Sequence, residues 1–167
     1  MAPPSLSRRG PGTRSGSTSG VSVEGLTEFR RDLRALDNSS RWLRELAAEQ
    51  RVIANTVAGR SRFAASAMGG PQKHFASAIK GRGSSTGARI QIDSNRYPGA
   101  DGAFWGAKQY RQFDDWVGSS WSAGVKGEGP YAINDTIADM ADEIVEMYGA
   151  GIERVALAAS SYWTATF

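Results

Sequence analysis

The chain reads as α+β, and three observations carry that reading. Apolar residues recur at spacings of three and four along several stretches, one short stretch alternates strictly, and glycine-rich breaks separate them. A helix with one apolar side must cover something, and a half-buried strand offers a matching surface. At 167 residues the chain has room for one domain of ordinary size.

Taken in order, residues 1–20 are rich in Pro, Gly, Ser and Thr and carry Arg8, Arg9 and Arg14 without an acid. Such a segment buries too little apolar surface to offset its ordering entropy, so it is expected to be a flexible basic arm unless a partner orders it. The domain then spans 21–159, with 160–167 as a tail. Val21 and Val23 suit the end of a short strand, and Leu26, Phe29, Leu33 and Leu36 give Glu24–Leu36 one apolar helical side. Asp37, Asn38, Ser39 and Ser40 supply turn and capping chemistry before a longer helix from Arg41 to about Ala65, whose stripe is Trp42, Leu43, Leu46, Ile53 and Val57. Gly69, Gly70 and Pro71 stop it.

A short helix is expected over Phe75–Ile79, then a Gly and Ser turn over 81–87, then a strand over Ala88–Asp93 with Ala88, Ile90 and Ile92 on its core face. Residues 97–121 concentrate aromatic side chains among glycines and charges. Asn134 suits the N-cap of a last long helix, in which Ile137, Met140, Ile144, Met147 and Tyr148 recur at three and four. Gly149 and Gly151 are expected to end or kink it, with Ile152–Ala159 as a second piece.

Composition excludes several classes. There is no cysteine, so disulfides, thiolate metal sites and cysteine nucleophiles are out. No apolar run approaches the ~20 residues of a membrane span, and no membrane partner is expected. The net charge of +3 is accounted for by the arm, but charge is segregated within the body. Arg60, Arg62, Lys73, Lys80, Arg82 and Arg89 form a basic middle, whereas Asp135, Asp139, Asp142, Glu143 and Glu146 form an acidic run near the expected last helix. A solvated helix face is the competing account of the acidic run.

Catalytic patterns are incomplete. Gly83-Ser84-Ser85-Thr86-Gly87 matches G-x-S-x-G, but the only histidine, His74, precedes it and the flanking strand and helix of a nucleophile elbow are not expected. Ser77 and Lys80 fit S-x-x-K without its companion motifs. No phosphate-binding loop, dinucleotide fingerprint or calcium loop occurs. The expectation is a non-enzyme with no cofactor and no metal.

The stretch YPGADGAFWGAKQYRQFDDWVG at 97–118, followed by GPYAINDTIADM at 129–140, resembles the neck or tail-completion proteins of long-tailed bacteriophages. VEGLTEFRRDLRAL at 23–36 and HFASAIKGRGSSTGARIQI at 74–92 are similar to the same family, so the resemblance spans about 21–158. It departs at Phe104-Trp105-Gly106, which lacks the family's usual acid, and at Gly70-Pro71, which stands where an Ala-Pro turn is common. The resemblance implies a small antiparallel sheet packed by N-terminal helices and a long C-terminal helix. It also implies a structural virion protein: a ring of copies, sixfold in the expected case, around the DNA channel at the head-to-tail junction, made in the host cytoplasm. Partners would be a stopper, tail terminator or tail-tube protein and passing genomic DNA without sequence preference.

Within that frame Trp105, Tyr110, Phe113, Trp116 and Trp121 are candidates for the subunit interface, because large amphipathic aromatics favour interface centres; core packing is the competing account of each. Arg8, Arg9 and Arg14 are candidates for contact with DNA or a partner. Asp135, Asp139, Asp142, Glu143 and Glu146 would face either the lumen or the basic middle of a neighbour. The rival function is a small basic nucleic-acid-binding protein acting alone.

Overall fold

The computed structural model describes residues 18–20, 25–36, 38–106, 111 and 132–164. Two N-terminal helices, α1 (Leu26–Ala35) and α2 (Ser39–Met68), lead into a short helix α3 (Gly70–Phe75) and a single 3-10 turn (Ala76–Ala78). A hairpin follows, β2 (Ile79–Ser84) and β3 (Gly87–Ile92), then a short helix α4 (Ala100–Trp105). Helix α5 (Ala132–Asp139) and the long α6 (Ala141–Thr164) close the described chain. With the edge strand β1 (Thr18–Gly20) the sheet is antiparallel in the order β1-β3-β2. This is the expected α+β arrangement.

Helix α2, roughly 45 Å long at 1.5 Å per residue, is the spine against which the other elements pack. Trp42, Leu46, Ile53 and Val57 are buried along its inner stripe, as their spacing predicts. They meet Ile79, Ile90 and Ile92 of the sheet and Ile133, Ile137, Ile144 and Tyr148 of α5 and α6 in one continuous core. Asn38 precedes α2 in the left-handed region, which Asn tolerates better than most residues. Gly69 ends it at φ 81°, so the helix runs to Met68, three residues beyond the expected Ala65. Pro71 then sits in the first turn of α3, where a missing N–H costs nothing, so it opens a helix as well as ending one.

The hairpin corrects the expectation of a turn over 81–87 and of a helix reaching Ile79. Here Ile79–Ser84 is a strand, and only Ser85 and Thr86 turn. Glycine is required because α2 lies directly on the strand. A Cβ on Gly81 would stand 2.5 Å from the carbonyl carbon of Ala54, and one on Gly83 would fall on the backbone of Arg51. The glycines that suggested a loop are the contact that lets a helix backbone lie against a strand backbone.

Three other expectations shift. Strand β1 lies at Thr18–Gly20, inside the stretch expected to be arm, and pairs Thr18 with Gln91, Ser19 with Ile90 and Gly20 with Arg89. An edge strand is held by backbone hydrogen bonds, which a side-chain reading of a Ser and Gly segment does not register. Val21, Val23 and Glu24 fall outside the described residues. Asn134 is not an N-cap: α5 begins at Ala132, whose N–H donates to Gln72 Oε1 at 3.1 Å, and Asn134 is buried in its first turn. Helix α6 runs on through Gly149 and Gly151 to Thr164, so the expected tail at 160–167 is helical as far as 164. At Gly151 a Cβ would meet that of Glu49 at 3.3 Å, so this glycine serves close helix packing and not termination.

Candidate functional site: two oppositely charged faces

Strand alternation gives the hairpin two unlike faces. Ile79, Gly81 and Gly83 turn toward α2 and share their side with Ala88, Ile90 and Ile92 through the register. The other side carries Lys80 and Arg82 from β2 and Arg89 and Gln91 from β3. Lys80 stands opposite Gln91, and Arg82 directly opposite Arg89, with Gly20 next in the row across β1. Arg82 and Arg89 are exposed and Lys80 is half-buried. Among the described residues none of the three is in an ion pair, and neither hairpin strand carries a carboxylate; Asp93, one residue beyond β3 on the same side, accepts from the N–H of Arg96. Like charges directly opposed across a strand pair repel, so the chain carries a small unfavourable term here that only something of opposite sign removes.

The basic middle therefore divides by role. Arg60 pairs with Glu143 at 2.8 Å, and Arg62 donates to the carbonyl of Ile79 at 3.1 Å, tying α2 to α6 and to the start of β2. Lys73 is exposed on α3. Lys80, Arg82 and Arg89 alone share one surface.

The acidic run divides as well, over two helices instead of one. Asp135 is half-buried and Asp139 exposed on α5, while Asp142 and Glu146 are exposed on α6. Glu143 is held by Arg60 of its own chain, so it is not part of an acidic surface offered to DNA or to a neighbour. Glu153, which the sequence reading passed over, lies seven residues beyond Glu146 and is exposed on the same side of α6 as Asp142 and Glu146. The only basic residue of α5 and α6 is Arg154, and it turns to Glu49 of α2, with Nε and Nη2 at 3.1 and 2.6 Å from its two oxygens. That hydrogen-bonded guanidinium holds the Glu49 carboxyl below its ordinary value of 4.5, and Glu49 in turn raises Arg154. The outer side of α6 is thus acidic throughout its charged positions. Val145 and Leu157 are exposed on the same helix, 63% and 61% respectively. Phe63 and Val52 are exposed on α2.

A further tie fixes the sheet beside α6. The N–H of Ala88 donates to the Tyr148 hydroxyl at 3.0 Å, and burial pushes that phenol above its ordinary value of 10.0.

Of the aromatic candidates, Trp105 is packed into the core at 9% exposure, which corrects its assignment to an exposed interface. It ends α4 beside Phe104, so its ring completes the interior under that helix. Tyr110, Phe113, Trp116 and Trp121 lie outside the described residues, as do Arg8, Arg9 and Arg14. The G-x-S-x-G residues form the hairpin tip, with Ser84 Oγ and Thr86 Oγ1 2.6 Å apart, and not a strand-to-helix elbow. Ser77 lies in the 3-10 turn and Lys80 in β2, so they do not share a helix. Among the described residues no group of three His, Asp or Glu is placed to hold a metal, and no helix is long and apolar enough to cross a membrane.

No family model, curated protein or solved structure matches this chain.

Proposed function

We propose that this protein is a structural subunit of the head-to-tail junction of a long-tailed bacteriophage, one copy of a ring through which genomic DNA passes. The observation that carries the reading is the outward sheet face, where Arg82 opposes Arg89 and, among the described residues, no acid pairs with either. A surface that is self-repelling in the free chain is at home in an assembly that brings an opposite charge to it. The sequence resemblance over 21–158 supplies the kind of assembly, with stopper, tail-terminator or tail-tube proteins as neighbours. No enzymatic role is proposed, because no nucleophile with an adjacent base is assembled among the described residues.

Imaging intact virions by electron microscopy, with the chain labelled at its C-terminus, tests the reading. Density at the neck is the expected result, and label confined to any other part of the virion sinks it. The same arginine face favours a second reading, a basic protein that binds nucleic acid on its own. That reading requires tight binding by a monomer near physiological salt, whereas a ring subunit binds DNA weakly and with steep salt dependence.

A further inference from the structure

The partner of the basic sheet face is present on the chain itself. Resting on the ring-subunit reading, we propose that Lys80, Arg82 and Arg89 of one copy dock on the outer side of α6 of the next copy, against Asp142, Glu146 and Glu153.

Sign is the first argument. The two hairpin strands hold no acid, the nearest one on that side being Asp93 just beyond β3. The only base of α6, Arg154, lies near Glu153 but is turned to Glu49, and among the described residues none of the six is in an ion pair. Each set is repulsive by itself, since Arg82 opposes Arg89 across the strands and Asp142 precedes Glu146 by one helical turn. Bringing the two sets together relieves both repulsions at once.

The second argument is directional. The basic face points away from α2, because the glycines of the opposite face are pressed on that helix, and the acidic side of α6 is opposite to the side that buries Ile144, Tyr148 and Val155. A single copy cannot press one surface on the other. Two different surfaces that meet between copies make a heterologous contact, the kind that generates rings.

Composition supplies the third argument. Val145 and Leu157 are exposed on α6 beside the acids, and the long aliphatic stems of Lys and Arg cover such side chains while their charged ends reach the carboxylates. Nucleic acid matches the sign of the sheet face but is repelled by the acidic stripe and leaves these two apolar residues uncovered. A second copy accounts for all of them.

The full chain is tested by sedimentation or light scattering across ionic strength, with circular dichroism as the check on folding. The wild type is expected to form an oligomer that falls apart as salt rises. Reversal of the sheet face by R82E with R89E loses it, and so does reversal of the helix by D142K with E146K. One chain carrying all four changes regains it, and so does an equimolar mixture of the two double variants, in which copies alternate. An oligomer indifferent to either reversal overturns the contact, and so does failure of the four-fold variant to regain mass while it remains folded. A monomeric wild type that binds duplex DNA, with binding lost in the R82E and R89E chain, overturns it in favour of nucleic acid. The connector reading fails separately: an oligomer that obeys the charge reversals but is missing from the virion neck retires that reading and leaves the contact standing.

Discussion

The two faces of the β2–β3 hairpin are built from alternate residues of the same short strands, yet they answer to different constraints. On the inner face Gly81 and Gly83 admit the α2 backbone so closely that any side chain would collide with it. On the outer face Arg82 and Arg89 are exposed and Lys80 is half-buried, and the opposed arginines add repulsion without adding packing. The inner face specifies the fold, and the outer face is the one assigned above to the proposed contact between copies. Substitution should therefore separate the two: inner changes cost stability, and outer changes cost association at nearly constant stability.

Gly83→Ala is the severest way to break this contrast. Its methyl would overlap the backbone of Arg51, which cannot swing aside like a flexible side chain, and overpacking of this kind costs about 3 kcal/mol. Urea denaturation followed by circular dichroism should show a lower midpoint or an unfolded chain; wild-type stability would mean that helix and strand are less closely apposed than described. Tyr148→Phe comes next. It keeps the ring but leaves the Ala88 N–H without its acceptor, for a loss of about 1–2 kcal/mol in the same measurement.

The Glu49–Arg154 pair gives a smaller, pH-dependent term. Glu49 is lowered in the folded protein, so between its ordinary value of 4.5 and the lower folded value the unfolded chain binds more protons. The contribution is fully present above 4.5 and is lost as pH falls through the folded value. Because solvent screens the exposed Arg154, the contribution is small. Thermal melts of wild type and Glu49→Gln between pH 3 and 6 should converge at the acidic end; curves that stay parallel would remove the pair as their cause.

The smallest change is expected on the outer face. Arg82→Gln or Arg89→Gln should leave stability within about 0.5 kcal/mol of wild type and shift it slightly upward, because a like-charge opposition is relieved. A clear loss in either variant would mean that the arginine supports the fold, and the contrast between the faces would fail.

Much of the helical frame was legible in the sequence, because an apolar stripe records burial directly. Leu26 and Leu33 in α1, Trp42, Leu46, Ile53 and Val57 in α2, and Ile144 and Tyr148 in α6 are buried where their spacing puts them, while Leu43 of the α2 stripe is only partly buried. Strand β3 was legible for the same reason, with Ile90 and Ile92 inside and Arg89 outside. Strand β2 was not. Its inner face is glycine instead of a hydrophobe, so burial left no apolar mark, although Lys80, Gly81, Arg82, Gly83 and Ser84 do alternate charged or polar with absent side chains.

The start of α5 was hidden because its cap comes from Gln72, sixty residues earlier, and local pattern cannot report a distant partner. At the candidate site, charge segregation was visible but its partition was not. Arg60 and Glu143 looked like members of opposite surfaces and proved to be partners, while Glu153 was missed although its spacing from Asp142 and Glu146 marks one side of a helix. Trp105 failed as an interface candidate because composition cannot tell an exposed tryptophan from a core one.

The two ion pairs between α2 and α6 carry one further consequence. Eleven residues separate Glu49 from Arg60, and eleven separate Glu143 from Arg154, so the antiparallel helices are joined at two points with matched spans. Sliding by a single turn would break both links together, which makes the pair behave as a strut with two pins. Force applied to the outside of α6 would then travel into α2 and onward to the hairpin without slip.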